Sequence, residues 1–134
     1  MSSHNPRDAA SIYAKAAVET ASPRELEARL LLEAAAKLQA ILDIWEDKPP
    51  SLSGALRYNR QLWIIFMDAV MRDENRLPKE VRQNVLNLGV FVMAETFSLM
   101  TKPKPEHLVN LISINRRIAA GLRGNARDHK AQAA

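Results

Sequence analysis

Apolar residues recur every three or four positions in four long stretches of the chain, and polar or proline-rich segments separate these stretches. The first stretch opens with Ser22 as N-cap, Pro23 at the first helical position and Glu25 at the third, which together form a capping box. Because helical spacing continues beyond it, we predict a helix that ends near Asp47.

The second predicted helix lies between two breaks. A Lys-Pro-Pro-Ser segment at 48–51 stops the first helix and offers Ser51 as the next N-cap, and the polar residues 73–75 end the second helix. Its apolar stripe contains Leu52, Leu56, Asn59, Trp63, Phe66 and Val70.

Prolines also delimit the third and fourth helices. Pro78 starts the third, a Lys-Pro-Lys-Pro segment at 102–105 ends it, and the fourth should end at Gly121 or Gly124. Their apolar stripes contain Val81, Val85, Leu88, Val92 and Leu99 in the third helix and Leu108, Leu111, Ile112, Asn115, Ile118 and Leu122 in the fourth.

Four long helices with short connections predict an all-α fold, an antiparallel bundle preceded by a short N-terminal helix. Asn5 and Pro6 can start that short helix, which would run to about Val18. We therefore divide the chain into a helical N-terminal segment at 1–19, a bundle domain at 20–124 and a disordered basic tail at 125–134.

Two asparagines interrupt the apolar stripes, Asn59 in the second helix and Asn115 in the fourth. A buried asparagine costs free energy unless it is hydrogen-bonded. We expect the two side chains to bond to each other or to neighbouring backbone and so to set the helix register as a structural polar core. The alternative is direct contact with a partner.

An arginine follows each of these asparagines, Arg60 and Arg116, at the edge of the stripe. Three roles are open to them: capping carbonyl groups, pairing with Glu95, or presenting guanidinium groups to a partner. Glu95 has no second carboxylate at a useful spacing, so general acid–base catalysis is not expected there.

The composition contains no sign of an active site. There is no cysteine, the three histidines have no metal-ligand spacing, and there is no glycine-rich phosphate loop and no nucleophile elbow. We therefore expect no enzyme, no metal and no cofactor.

The chain also shows no signal peptide, and its longest apolar run, Leu62 to Met67, is too short to cross a bilayer. We therefore expect a cytoplasmic protein without a membrane partner.

Positive charge is concentrated at the C-terminal end. Residues 1–101 hold 12 basic and 13 acidic residues, whereas residues 102–134 hold 7 basic and 2 acidic residues. Such an end can bind nucleic acid or an acidic partner, or it can be a solvated helix face. The nucleic-acid alternative assigns RNA contacts to Lys102, Lys104, Arg117 and Arg123, but this quarter has no aromatic residue for base stacking.

Methionines lie near the edges of the apolar faces of the two central helices, at Met67, Met71, Met93 and Met100. Such residues usually fill gaps in a core. They can also line an adaptable groove that accepts an amphipathic helix from a partner.

Seven short segments stand out in order along the chain: Ser-Ile-Tyr at 11–13, Ala-Ser-Pro-Arg-Glu-Leu-Glu at 21–27, Ala-Leu-Arg-Tyr-Asn-Arg-Gln-Leu-Trp at 55–63, Leu-Pro at 77–78, Arg-Gln-Asn at 82–84, Ile-Ser-Ile-Asn-Arg at 112–116 and Ala-Ala-Gly-Leu-Arg-Gly at 119–124. Together they resemble the flagellar protein family FlaF of alphaproteobacteria, over roughly residues 10–124. A more local similarity, in Tyr13 and residues 18–26, links the chain to the flagellin chaperone family FliS.

The FlaF resemblance implies a positive factor for flagellin synthesis or secretion that acts opposite the repressor FlbT. Its expected partners are flagellin and FlbT. The FliS similarity implies a helical bundle whose groove holds a flagellin helix. From these resemblances we take Tyr13, Met67, Met71, Arg60 and Arg116 as candidate partner-binding residues, with RNA binding by the basic quarter as the alternative.

Overall fold

Four helices account for most of the chain that the structure describes. This structure, a computed structural model, describes residues 23–46 and 49–133, with side chains as far as residue 124. The helices are α1 (Pro23–Asp43), α2 (Leu52–Met71), α3 (Lys79–Thr101) and α4 (Pro105–Ala133), and the described residues contain no strand. The all-helical fold is confirmed, while the predicted N-terminal helix and Ser22 lie outside the described residues.

Consecutive helices run in opposite directions. Ser53, near the start of α2, lines one groove with Met100, near the end of α3. Val81, near the start of α3, lines another with Leu122 in α4. The helices pack in the cyclic order α1, α2, α3, α4, and the α1–α4 interface is the most extensive. This is the up-down-up-down arrangement of a four-helix bundle.

The bounds of α1 and α2 differ slightly from those predicted. α1, described from Pro23 onward, ends at Asp43, because the amides of Ile44 and Trp45 bond back to carbonyls three residues earlier and tighten the last turn. Ser51 occupies the N-cap position of α2 without a side-chain cap, since its backbone is already helical (φ −83°, ψ −5°).

The predicted end of the last helix is wrong. α4 continues through Gly121 and Gly124 to Ala133, so residues 125–133 belong to the helix. Neither glycine takes the left-handed backbone conformation that ends a helix. The residues that follow are mostly alanine, arginine, lysine and glutamine, which favour helix.

The buried core consists of the predicted apolar stripes. On α2 the six predicted positions are all buried, with Trp63 fully so and in edge-to-face contact with Phe66. On α3 and α4 most stripe residues are buried, whereas Val81, Leu88 and Ile118 are half-buried at the margin. Helical periodicity therefore identified the inward faces of α2, α3 and α4. On α1 it predicted Ala34, Leu38 and Ile41, which are buried, but not the equally buried Ala28, Leu31 and Ala35.

Candidate functional site

A buried polar network joins three of the four helices. Asn115 on α4 donates to Oδ1 of Asn59 at 2.7 Å and to the backbone carbonyl of Leu31 at 3.2 Å, while its own Oδ1 accepts from the indole of Trp63 at 2.8 Å. Both asparagines are fully buried. They thus bond to each other and to backbone, so neither contacts an external partner. The amide nitrogen of Asn59 has no protein partner within the described residues.

The two arginines beside these asparagines lie on different faces. Arg116 is exposed on α4 and donates to Gln39 of α1 at 3.3 Å. Arg60 is exposed at the rim of a groove between α2 and α3. The structure therefore does not bring Arg60 and Arg116 into one site.

Glu95 is buried on α3, and neither arginine reaches it. Its Oε2 lies 2.8 Å from Nδ1 of His107 and accepts from the amide of Asn110 at 3.0 Å, both on the first turns of α4. Pairing of Glu95 with Arg60 or Arg116, one of the predicted options, is wrong, because α4 places its first turns against this part of α3. Sequence spacing did not indicate the His107 contact, which connects two helices across a proline-containing turn.

A groove with a volume of about 560 Å³ lies between α2 and α3. Leu56 of α2 and Thr96 of α3 are buried at its floor. The Thr96 hydroxyl donates to the Val92 carbonyl of its own helix at 2.7 Å, so this floor residue has no unsatisfied donor. Its walls are formed by Ser53, Arg57, Arg60, Met93, Phe97 and Met100.

An apolar stripe left open to solvent lies along this groove, partly in its lining and partly beside it. Phe97 and Met100 of α3 are 67% and 68% exposed, and Val90, two turns before Phe97, is 67% exposed. Met93 lies between them at helical spacing and is half-buried. On α2, Ile64 is 45% exposed, one helical turn beyond Arg60. We call Ile64, Val90, Met93, Phe97 and Met100 the open stripe.

Met67 and Met71, the other two candidates on α2, differ in exposure. Met67 is half-buried and lies over Gly89 of α3: a Cβ atom at that glycine would be 2.7 Å from the Met67 Cε and 2.8 Å from its Cγ. Met71, at the end of α2, is 60% exposed. Neither lines the groove itself, whereas Met93 and Met100 do. Tyr13 lies outside the described residues.

Sequence reasoning missed Arg57 and Phe97 as groove residues. The available signal was a second apolar repeat on α3, at positions 90, 93, 97 and 100, beside the core-facing repeat. An apolar arc this wide exceeds what the neighbouring helices cover, and the excess remains at the surface.

The basic residues of the RNA alternative are dispersed. Lys102 and Lys104 lie at the junction of α3 and α4, and Arg117 lines a separate cleft between these helices, of about 480 Å³. Along α4, Arg123 is 19 residues from Lys104, which corresponds to about 28 Å. The RNA alternative stays a prediction.

The described residues contain no group of three or more His, Cys, Asp or Glu side chains arranged to hold a metal. By length and composition, one described helix, α3, meets the criteria for crossing a membrane, and a third of its most apolar window is buried. Core helices of soluble proteins meet the same criteria. The expected cytoplasmic location stays a prediction.

The fold and the groove define a small four-helix bundle with an open apolar groove. A family model described as flagellar protein FlaF matches residues 9–122, so the chain belongs to the FlaF family of flagellar proteins. No curated protein and no solved structure matches the chain.

Proposed function

We propose that this flagellar protein promotes flagellin synthesis or secretion by binding a helical segment of flagellin in the α2–α3 groove. The observation that carries the proposal is the open stripe, whose large apolar side chains remain exposed beside a groove in a member of a flagellar family. Exposed apolar patches of this kind mark interaction sites.

The groove has the shape and the chemistry for a helix. From Val90 to Met100 the open stripe extends over ten residues of α3, or about 15 Å, which matches roughly three turns of a helix lying alongside it. Burying apolar surface stabilises a complex by about 25 cal/mol per Å² before the entropic cost of association. Met93 and Met100 can change rotamer to fit more than one sequence.

The action is non-enzymatic in this proposal. A flagellin helix held in the groove has its own apolar face covered, which keeps that segment from aggregating before assembly. The protein then acts as a chaperone, and flagellin is its direct partner.

Titration of the full-length protein with purified flagellin, followed by isothermal calorimetry, tests the proposal. We expect micromolar or tighter binding, weakened at least about 10-fold by Phe97→Glu or Met100→Glu, because each places a charge in the apolar wall. Both side chains are exposed, so the fold should persist, which circular dichroism checks.

Matched controls place the same substitution on other exposed apolar residues. Ile44→Glu, after α1, and Val109→Glu, on α4, change charge and apolarity equally but lie outside the groove. They should bind flagellin like the unaltered protein. Absence of flagellin binding, or retention of FlbT without flagellin in a pull-down, would contradict the proposal.

A further inference from the structure

Charged and apolar side chains are distributed unevenly around the α2–α3 groove. Arg57 and Arg60 are its only charged lining residues, and both are exposed. Within the described residues, neither guanidinium has a hydrogen-bond or ion-pair partner. Two uncompensated positive charges therefore lie at the rim of an apolar groove.

No accessible acidic side chain balances them from either helix. Residues 52–67 of α2 contain no aspartate or glutamate, and residues 86–101 of α3 contain only Glu95. That carboxylate is buried and hydrogen-bonded to His107 and Asn110 of α4. Among the described residues of these two helices nothing complements the arginines, so the occupant of the groove is free to supply the negative charge.

The two arginines also define where that charge must lie. They are three residues apart on α2, so they share one side of the helix and are separated by about 4.5 Å along its axis. The opposite wall, formed by Met93, Phe97 and Met100 of α3, carries no charge. A helix in the groove would face cations along one edge only and apolar side chains along the rest.

We propose that the segment recognised by this groove is an amphipathic helix with carboxylates three or four residues apart along the single edge that faces Arg57 and Arg60. This inference rests on the proposed function, because it specifies the chemistry of the helix held there. Arginine suits this role, since its planar guanidinium can bind a carboxylate through two parallel hydrogen bonds.

A second copy of the chain does not meet this requirement. The same face of a second molecule would bring two more arginines and no accessible carboxylate. An anionic lipid surface would supply negative charge, but these side chains line a concave groove between two helices, and a bilayer surface does not enter such a groove.

Two synthetic peptides of about 18 residues provide the probe. Both carry the same leucine stripe at helical spacing; one has glutamates along one flank and the other has lysines at the same positions. Binding to the full-length protein is measured by fluorescence anisotropy at low salt. We expect the glutamate peptide to bind about 3- to 30-fold more tightly, as two exposed ion pairs allow, and the difference to shrink as salt is added.

The double variant Arg57→Glu/Arg60→Glu should reverse the preference. The matched control is Arg29→Glu/Arg76→Glu, which changes the net charge equally at two exposed arginines outside the groove and should keep the original order. Equal binding of the two peptides, the same order in both double variants, or binding to anionic phosphatidylglycerol vesicles without selection between peptides would overturn the inference.

Flagellin binding separates this inference from the proposed function. If Phe97→Glu abolishes flagellin binding while Arg57→Glu/Arg60→Glu leaves it unchanged, the groove binds flagellin and the charge inference is wrong. If Phe97→Glu has no effect on flagellin binding, the proposed function is wrong.

Discussion

The α1–α4 side of this bundle adds directional hydrogen bonds to the most extensive packing between any two of its described helices, whereas the α2–α3 side relies almost entirely on apolar packing. On the first side, Asn115 reaches the Leu31 carbonyl of α1 as well as Asn59, and Arg116 bonds to Gln39 at the surface. On the other side, the described residues show one long side-chain hydrogen bond, from Arg82 of α3 to the carbonyl of Arg72 just after α2 (3.4 Å), and otherwise apolar contacts such as Met67 over Gly89.

This difference bears on where a partner can bind. Hydrogen bonds between buried groups hold one geometry, because any shift leaves a donor or acceptor unsatisfied. Apolar packing around flexible methionine side chains tolerates adjustment at lower cost. The exposed apolar residues of the groove lie on this α2–α3 side, which is where the proposed function places the partner.

The largest change in the free energy of unfolding should come from Asn115→Leu, which removes the centre of the polar network. The Trp63 indole and Oδ1 of Asn59 would lose their partner while buried, and the Leu31 carbonyl would keep only the hydrogen bond within its own helix. We expect the free energy of unfolding to fall by about 3–5 kcal/mol, measured by urea denaturation and circular dichroism.

Asn84→Leu, on the exposed surface of α3, is the control and should change stability by less than about 0.5 kcal/mol. An Asn115→Leu protein as stable as the original would show that the network is dispensable, and the contrast between the two sides would disappear.

A smaller effect is expected from Gly89→Ala on the other side. The added methyl group would displace Met67, at a cost that outweighs the gain in helix propensity, so we expect a net loss of about 1–2 kcal/mol. Met67→Ala should relieve the steric conflict with the added methyl group, so a double-mutant cycle of the two positions should give a coupling energy above about 0.5 kcal/mol.

Gly54→Ala on α2 is the matched control, because nothing lies within 4 Å of a Cβ atom there. It should leave stability unchanged or raise it by up to about 1 kcal/mol. Equal effects at the two glycines would mean that α2 and α3 are not closely packed at Met67.

The smallest expected change in stability concerns the carboxyl of Glu27 on α1. Burial raises the pKa of this carboxyl, and the attraction of Arg24 at 2.7 Å offsets the increase only in part. The folded state therefore holds the proton more strongly than the unfolded state. The protonated Glu27 carboxyl therefore contributes stability that is fully present below its pKa in the unfolded state. This contribution is lost as the pH rises through its pKa in the folded state.

Glu27→Gln should remove the loss of stability that ionisation of this carboxyl causes, because glutamine stays neutral at every pH. We expect the variant to be slightly more stable than the original protein at pH 7, and the difference to shrink on acidification, as urea denaturation at several pH values would show. A variant that is less stable at pH 7 would indicate that the ion pair with Arg24 outweighs the burial of the carboxyl.

Parts of the candidate site were predictable and parts were not. The sequence identified Arg60, Met93 and Met100 as residues near the edge of an apolar face, and the structure places all three in the groove. It also grouped Arg116 with Arg60, although the two lie on different faces. Identical local patterns carry no information about which neighbouring helix each one meets.

The number of long helices, the breaks between them and most inward-facing positions were determined by the sequence alone, because capping residues, prolines and a 3.6-residue repeat act locally. The ends of α1 and α4 were not. The six stripe positions of α2 are buried, as that repeat requires. The tertiary structure decided that Asn115 bonds to Trp63, that Glu95 pairs with His107, and that Phe97 stays exposed. Those outcomes depend on which helices are neighbours and how much of each apolar arc they cover, and only the packed bundle determines that.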